Sequence, residues 1–245
     1  MTSTRQRLGG LGAAAVLMAC VTPASAEQSK DWTWCVNKGK AYSFEQAVKG
    51  CTNVIQSGQE DQRNLAIAFN NRGIAYYDKD QYDKAISDFT EAIQLDPKYA
   101  DAYQSRASAY SDKGDHDHAI ADYNESIRLN PKNPIAFNNR CDELLMLKQT
   151  QSAIEDCNES LRIRPNHANA LMHRGNALLA AKQYAKAIAD YDAALRQNPK
   201  DAWSLYGRGF AKVKQGSTSS GNADMDAGKA IEPKIAAAFA DRGIK

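Results

Sequence analysis

The stretch that decides the fold is a tandem of two 34-residue lines, AIAFNNRGIAYYDKDQYDKAISDFTEAIQLDPKY at 66–99 and ADAYQSRASAYSDKGDHDHAIADYNESIRLNPKN at 100–133. Each line ends just after a proline, and the same spacing continues to the C-terminus. The prolines are Pro97, Pro131, Pro165, Pro199 and Pro233. Proline ends a helix, and a fixed period of this size indicates a repeat architecture. We therefore divide the chain into units 66–99, 100–133, 134–167, 168–201 and 202–235.

Small and large residues recur at fixed positions within each unit. Position 8 holds Gly73, Ala107, Cys141, Gly175 and Gly209. Position 24 holds Phe89, Tyr123, Cys157, Tyr191 and Met225. Small residues are found where two helices touch, and large ones fill the space between them. Each unit is therefore predicted to be a pair of packed helices.

This pattern resembles the tetratricopeptide repeat family. The family signature has a bulky residue at position 4, a small one at 8, Tyr at 11, Ala at 20, an aromatic at 24, a small one at 27 and Pro at 32. The resemblance covers 66–235 without a gap and implies an all-α solenoid, a right-handed superhelix of antiparallel hairpins stacked around one continuous core. The fifth unit departs from it, because the Gly/Ser-rich tract from Gln215 to Gly221 stands where its second helix should begin. We expect a loose turn there.

The two ends of the solenoid are predicted to be caps. Phe44 to Gln56 aligns with Tyr82 to Gln94, the second helix of the first full unit. Residues 27–65 are therefore predicted to form a divergent N-terminal hairpin. At the other end, 236–245 begins a sixth first helix, with Phe239 and Arg242 in register, and we expect this helix to cover the last hairpin.

The N-terminus has the features of a secretory signal peptide at 1–26. Two arginines precede the apolar run Leu8 to Val21, and Ala24-Ser-Ala26 is a small-residue cleavage site. The run of about 14 residues is shorter than the roughly 20 needed to span a bilayer. We predict cleavage after Ala26 and a soluble protein in a bacterial periplasm or secreted. The alternative is a membrane-anchored lipoprotein, because the sequence before Cys20 resembles a lipidation site.

The charge of the chain argues against a nucleic-acid partner. Residues 1–26 contain Arg5 and Arg7, so the remainder has 29 basic residues, the 31 of the whole sequence less these two, against 29 acidic ones. A net charge of zero provides no basic footprint.

Four cysteines follow the signal, and they fall in two matching pairs. The first pair, Cys35 and Cys51, occupies the cap's equivalents of positions 8 and 24, and Cys141 with Cys157 occupies those positions in the third unit. In the family these positions face each other within a hairpin. An exported protein with an even cysteine count favours disulfides, so we predict Cys35–Cys51 and Cys141–Cys157.

Arginine recurs at position 7 and aspartate at position 23, where the family signature does not require them. The arginines are Arg72, Arg106, Arg140, Arg174, Arg208 and Arg242. The aspartates are Asp88, Asp122, Asp156, Asp190 and Asp224. We predict a ladder of structural ion pairs. The cap lacks both partners, which favours pairs within a hairpin, but Arg242 has no aspartate of its own, which favours pairs between neighbours.

The resemblance also implies a concave groove lined by the first helices, in which another protein's peptide segment or helix binds. The predicted groove residues include Asn70, Ile74, Tyr77, Gln104, Ser108, Asn138, Asp142, Met172, Asn176, Trp203, Tyr206 and Phe210. We expect the asparagines to bond the partner's backbone and the three aromatic residues to hold an apolar anchor. The alternative is that Phe239 of the C-terminal helix covers Trp203 and Phe210.

Signals for catalysis are missing from the sequence. It contains no Gly-rich phosphate loop, nucleophile elbow or histidine pattern with zinc spacing. The best metal candidate is Asp115-His-Asp-His118, which reads as a solvated turn. We therefore predict no enzyme activity, no metal and no cofactor. The predicted groove also lacks the lysines and arginines with which chaperone-binding family members hold a terminal carboxylate.

Overall fold

The computed structural model describes residues 23–244, in which all regular structure is helical. The helices are α1 (Pro23–Val36), α2 (Phe44–Gln56), α3 (Gln62–Tyr77), α4 (Tyr82–Leu95), α5 (Ala100–Asp112), α6 (His116–Leu129), α7 (Pro134–Met146), α8 (Thr150–Ile163), α9 (Ala168–Ala180), α10 (Tyr184–Gln197), α11 (Ala202–Lys214), α12 (Thr218–Ile231) and α13 (Ile235–Asp241). A short 3₁₀ turn, Lys38–Lys40, separates α1 from α2. Each helix from α1 to α12 packs on the next along the chain. The predicted all-α solenoid is confirmed.

The helices follow the 34-residue period closely. Helices α5, α7, α9 and α11 begin at position 1 of their units, and α4, α6, α8, α10 and α12 begin at position 17. Only α3 starts early, at Gln62, because the side chain of Asp61 caps it by accepting a hydrogen bond of 2.8 Å from the amide of Asn64. In most pairs the small residue at position 8 contacts the large one at position 24, as Gly73 contacts Phe89. These contacts fix the distance between the two helices.

The turn inside each of the five full units has one residue in the left-handed region at position 15. These residues are Asp80, Gly114, Lys148, Lys182 and Gly216, with φ between 56° and 89°. The fifth unit therefore makes the same turn as the others, and α12 begins in register at Thr218. The expectation of a loose turn at 215–221 was wrong, because Gly216 adopts the left-handed conformation without steric cost.

The other glycines of the fifth unit bring its helices together. A Cβ on Gly209 of α11 would lie 2.5 Å from the carbonyl oxygen of Gly221, and a Cβ on Gly221 would lie 2.6 Å from the carbonyl oxygen of Gly209. Backbone therefore packs directly on backbone in the last hairpin. Gly221, part of the tract for which a loose turn was expected, is thus one of the two residues that permit this close contact.

The N-terminal cap is a helical hairpin of α1 and α2. Ser43 caps α2 with a reciprocal pair of hydrogen bonds to Gln46, which fixes where this helix begins. Most of the predicted signal peptide, including Cys20, lies outside the described residues, while Ala26 lies within α1. Cleavage after Ala26 stays a prediction. Among the described helices, none combines the length and apolarity needed to cross a membrane.

The C-terminal helix does not extend the stack. Nε and one terminal nitrogen of the Arg242 side chain donate to the two carboxylate oxygens of Asp142, 100 residues earlier on α7. The helix expected at 236–245 is present as α13 and contacts α11 and α12 of the last hairpin, but it lies across the first helices and does not continue the stack.

Candidate partner-binding groove

The arginine ladder ties each hairpin to itself and to the hairpin before it. In all five units the Nε and one terminal nitrogen of the arginine donate to both oxygens of the aspartate 16 residues later, as in Arg140 to Asp156 at 2.6 and 2.7 Å. The other pairs are Arg72–Asp88, Arg106–Asp122, Arg174–Asp190 and Arg208–Asp224. The five pairs formed with the aspartates at position 23 thus lie within hairpins, and Arg208 in addition pairs with Asp192 of the preceding unit.

The remaining nitrogen of each arginine reaches the preceding unit. It donates to an oxygen at position 25 or, in the first unit, to the cap's equivalent residue. The acceptors are Thr52, Thr90, Asn124, Asn158 and Asp192, at 2.7 to 3.1 Å. Position 25 was missed in the sequence, although its recurring side-chain oxygen was a visible signal. The arginine side chains therefore join neighbouring units, and their nitrogens are occupied by these structural hydrogen bonds.

Both cysteine pairs are bonded in the structure. Cys35 and Cys51 have an S–S distance of 2.06 Å, and Cys141 and Cys157 one of 2.05 Å. All four side chains are buried. Each bond replaces the contact that other hairpins make between a small residue and a ring, so each joins the two helices of one hairpin at its centre.

The concave face divides into two parts. We call the stretch on α3 and α5, with Asn70, Ile74, Tyr77, Gln104 and Ser108, the open half. Ile74 is the most exposed large apolar residue there, at 39%. The hydroxyl of Tyr77 donates to Asp112, and Ser108 shares a hydrogen bond of 3.1 Å with the hydroxyl of Tyr123. This half offers one apolar side chain among polar ones.

A polar cavity of about 160 Å³ lies where the open half meets α7. It is lined by Tyr77, Ser108, Ser111, Asp112, Tyr123, Asn139, Asp142, Glu143 and His173. Glu143 is buried and accepts hydrogen bonds from Ser111 at 2.5 Å and from the ring of His116 at 2.7 Å. Three carboxylates thus face this cavity, which gives it an acidic character.

The sequence did not predict the role of Glu143 or of His116. Glu143 stands at position 10, which the family signature leaves unassigned, so no periodic signal marked it. His116 was read as part of a solvated turn, but its imidazole pairs with Glu143, whereas His118 pairs with Asp115 in the same turn. Within residues 23–244, no three His, Cys, Asp or Glu side chains are grouped to hold a metal ion.

The other part of the concave face, the closed half, runs from Asp142 on α7 to Trp203 and Tyr206 on α11. Here α13 covers the surface. Phe239 stacks on Trp203, with ring centroids 5.3 Å apart, and contacts Tyr206 at 4.9 Å. Phe210 lies outside this contact and has the ammonium group of Lys214 5.0 Å from its ring centroid. The alternative in which Phe239 covers this end therefore holds for Trp203 and Tyr206.

Opposite effects act on the pKa of Asp142. Burial raises the pKa of Asp142, but the nearby charge of His173 and the hydrogen bonds from Arg242 lower it more, so its pKa lies below the usual value. Asp142 is therefore a stable anion where the closed half begins. A cationic side chain is its natural partner.

The predicted asparagine contacts do not survive in the structure. Asn70, Asn138 and Asn176 are only 4%, 4% and 1% exposed. Asn176 accepts a hydrogen bond of 2.7 Å from the hydroxyl of Tyr191 and contacts the sulfur of Met172. Because they are buried, these amides support the groove wall and are not accessible to a partner's backbone.

Comparison with known proteins agrees with this architecture. Family models for tetratricopeptide repeats match residues 66–99, 100–133 and 175–216. The chain is a tetratricopeptide repeat protein. No curated protein sequence matches it.

Several solved structures share the fold. One is described as YrrB, a tetratricopeptide repeat protein with an unusual peptide-binding site, at 20% identity and a TM-score of 0.62, over 80% of this chain and 100% of that one. A tetratricopeptide repeat protein from Parabacteroides merdae has 19% identity and a TM-score of 0.68, over 88% and 87%. Pseudomonas aeruginosa pilF has 18% identity and a TM-score of 0.61, over 75% and 88%. At these identities the likeness shows the fold alone.

Proposed function

We propose that this tetratricopeptide repeat protein is a non-catalytic adaptor that binds a segment of another protein in its concave groove. The observation that carries the proposal is that the groove already holds a chain segment, residues 235–244, through a ring stack and a paired carboxylate. A surface that seats one short helix has the shape and chemistry to seat another. The peptide-binding site named for YrrB supports the same reading.

We further propose that the adaptor works in an oxidising compartment such as the bacterial envelope. Two buried disulfides support this location, because such bonds persist where cytosolic reductants are absent. The predicted signal peptide points the same way. An intact-mass measurement tests the bonds: the exported protein is expected to gain about four hydrogen masses on unfolding and reduction. Four reactive thiols in the native protein would contradict this proposal.

Site-specific photocrosslinking tests the groove. A photoreactive residue replaces Ile74 in the open half, and a matched one replaces Ile231, which is 50% exposed on α12, an outer helix. Each protein is expressed with its own export signal and irradiated in the cell. The proposal expects a discrete crosslinked partner at position 74 and none at position 231.

A second arm asks whether the crosslink reports binding. An Ile74→Glu substitution is expected to abolish capture of that partner by the purified protein, because it replaces the exposed apolar side chain of the open half with a charged one. An Ile231→Glu control is expected to capture it as the native chain does. Crosslinks at both positions, or capture that ignores Ile74→Glu, would move the binding site away from the groove.

A further inference from the structure

The segment in the closed half is held by the side chains of Ile235, Phe239, Arg242 and Ile244. Phe239, Arg242 and Ile244 are all turned toward the first helices, and Phe239 and Ile244 are buried in the same apolar cluster as Leu145 and Tyr206. The segment is otherwise slight. Helix α13 has seven residues, and a helix that short is not stable in water unless its side chains are bound.

The aromatic anchor combines two contacts with Trp203. The ring of Phe239 lies on Trp203 with an angle of 25° between the planes, and the guanidinium of Arg242 lies 4.5 Å from the centroid of the Trp203 indole. Offset ring stacking and a cation over an indole are both favourable, and tryptophan is the best ring for the second. Trp203 thus recognises an aromatic residue and an arginine together.

The ionic anchor is equally specific. Nε of Arg242 donates to one oxygen of Asp142 at 3.0 Å and a terminal nitrogen donates to the other at 2.9 Å. The two side chains are only 14% and 22% exposed. A planar fork that meets a carboxylate in two bonds favours arginine over lysine. Asp142 therefore selects for arginine at the position three residues after the aromatic one.

The connection to the solenoid permits the segment to leave. Glu232, Pro233 and Lys234 between α12 and α13 are all exposed. The body of the solenoid is complete without α13, since α11 and α12 already form a packed hairpin like those before it. The anchors, and not the continuation of the stack, hold the segment in place.

We propose that residues 235–244 are an internal ligand of the closed half, and that its external ligand is a short helix with an aromatic residue followed three residues later by an arginine. This inference rests on the proposed function and names the partner's chemistry. The partner displaces the internal segment by occupying Trp203 and Asp142. Until then the segment keeps this apolar surface covered.

A peptide exchange experiment tests the proposal. The probe is a fluorescent peptide of residues 233–245, and its binding to full-length protein is followed by anisotropy. The Phe239→Ala/Arg242→Ala protein lacks both main anchors, so its closed half is expected to be open. It is expected to bind the probe with a dissociation constant below 1 mM. The native protein is expected to bind it at least tenfold more weakly, because a tethered competitor acts at an effective concentration of about millimolar.

Matched changes show whether binding uses the same contacts. A probe with both anchors replaced by alanine is expected not to bind. Adding Asp142→Asn to the opened protein is expected to weaken the normal probe at least tenfold, whereas adding Lys234→Ala in the connection is expected to have no effect. Helicity and melting of each variant are measured first, and the Lys234→Ala version supplies the reference for a folded, opened protein.

Three results would overturn the inference. They are equal binding of the probe to native and opened protein, no binding to the folded opened protein at 1 mM, and binding that ignores Asp142→Asn. A native protein that forms dimers dissociated by the probe would show that a second copy's segment fills the closed half. This experiment needs no outside partner. If the probe experiment fails while Ile74 still yields a crosslinked partner, the proposed function stands and only the inference about residues 235–244 falls. If the probe binds as expected but no partner crosslinks at Ile74, the adaptor role falls, and residues 235–244 remain an internal ligand of the closed half.

Discussion

The stabilisation that an arginine–carboxylate pair contributes to this chain depends on how exposed the pair is. Arg140 and Arg162 both make two hydrogen bonds to a carboxylate, but the Arg140 side chain is 20% exposed and that of Arg162 is 69% exposed. Water competes for the exposed pair and hardly for the covered one. Arg140 also bonds to Asn124 of the preceding unit, so it contributes to two interfaces.

We therefore expect Arg140→Met to lower the free energy of unfolding by about 2 kcal/mol, since it leaves the largely buried Asp156 without its partner. The matched Arg162→Met substitution is expected to change it by less than about 0.5 kcal/mol. Urea titration followed by circular dichroism measures both. Equal effects would mean that burial does not decide the strength of these pairs.

Asp224 differs from the other ladder aspartates because it accepts hydrogen bonds from both Arg208 and Lys212. Burial raises the pKa of Asp224, but the two cationic side chains lower it more, so the pKa lies below its ordinary value. A lowered folded-state pKa stabilises the fold above the unfolded-state pKa of about 3.9, and this contribution is lost as the pH falls through the lower folded value.

Asp224→Asn is accordingly expected to lower the melting temperature at pH 6, with the difference from the native chain shrinking steadily below about pH 4. The Asp226→Asn control removes a carboxylate that is 74% exposed and is expected to have little effect at any pH. Melting curves between pH 2.5 and 6 give the comparison. A difference that stays constant with pH would exclude a role for the Asp224 charge.

At the scale of the helix pair, α11 and α12 bring their backbones into direct contact. Adding a methyl group at Gly209 places it 2.5 Å from backbone, whereas at Gly175 it meets only the ring of Tyr191. A ring can move, and the second unit already accommodates Ala107 at the same position. We expect Gly209→Ala to lower the free energy of unfolding by about 3 kcal/mol and Gly175→Ala by about 1 kcal/mol or less.

Thermal and urea unfolding of these two variants measure the difference. Both glycines are helical and both substitutions raise helix propensity equally, so propensity cannot account for a difference. If Gly175→Ala proves the more damaging, the backbone contact between α11 and α12 does not limit the packing of the last hairpin.

The elements also show what the sequence can and cannot predict. The period of 34 located every helix from α4 to α12, because it reflects contacts between neighbouring units. It failed for α13, whose Phe239 and Arg242 match the repeat pattern but bond to α7 and α11. Repeat register describes only neighbours along the chain, and a helix that folds back across several units leaves no periodic signal.

The groove was predictable in outline only. Resemblance placed Asp142, Trp203 and Ile74 on its wall. It could not show that Asn138 and Glu143 are both buried, since exposure depends on how neighbouring helices curve around each other.

At the scale of the whole molecule, the two disulfides occupy different places in a one-dimensional stack. Both join residues 16 apart, so each is expected to contribute a similar stabilisation of about 3 kcal/mol. Cys35–Cys51 lies in the terminal hairpin, however, and Cys141–Cys157 lies in the middle. In a solenoid each hairpin is stabilised mainly by its neighbours, so the position of a weak unit decides what unfolds with it.

We expect replacement of Cys35 and Cys51 by alanine to loosen α1 and α2 while the main transition of 66–235 changes little. Replacement of Cys141 and Cys157 is expected to weaken α7 and α8 and, through them, the units on both sides, so that the main transition shifts to lower urea concentration. Hydrogen exchange resolved by helix, together with urea unfolding, measures both. The same exchange pattern in the two variants would show that the chain unfolds as one cooperative body. The expected contrast would show that the central bond stabilises the helices of both the open half and the closed half of the groove.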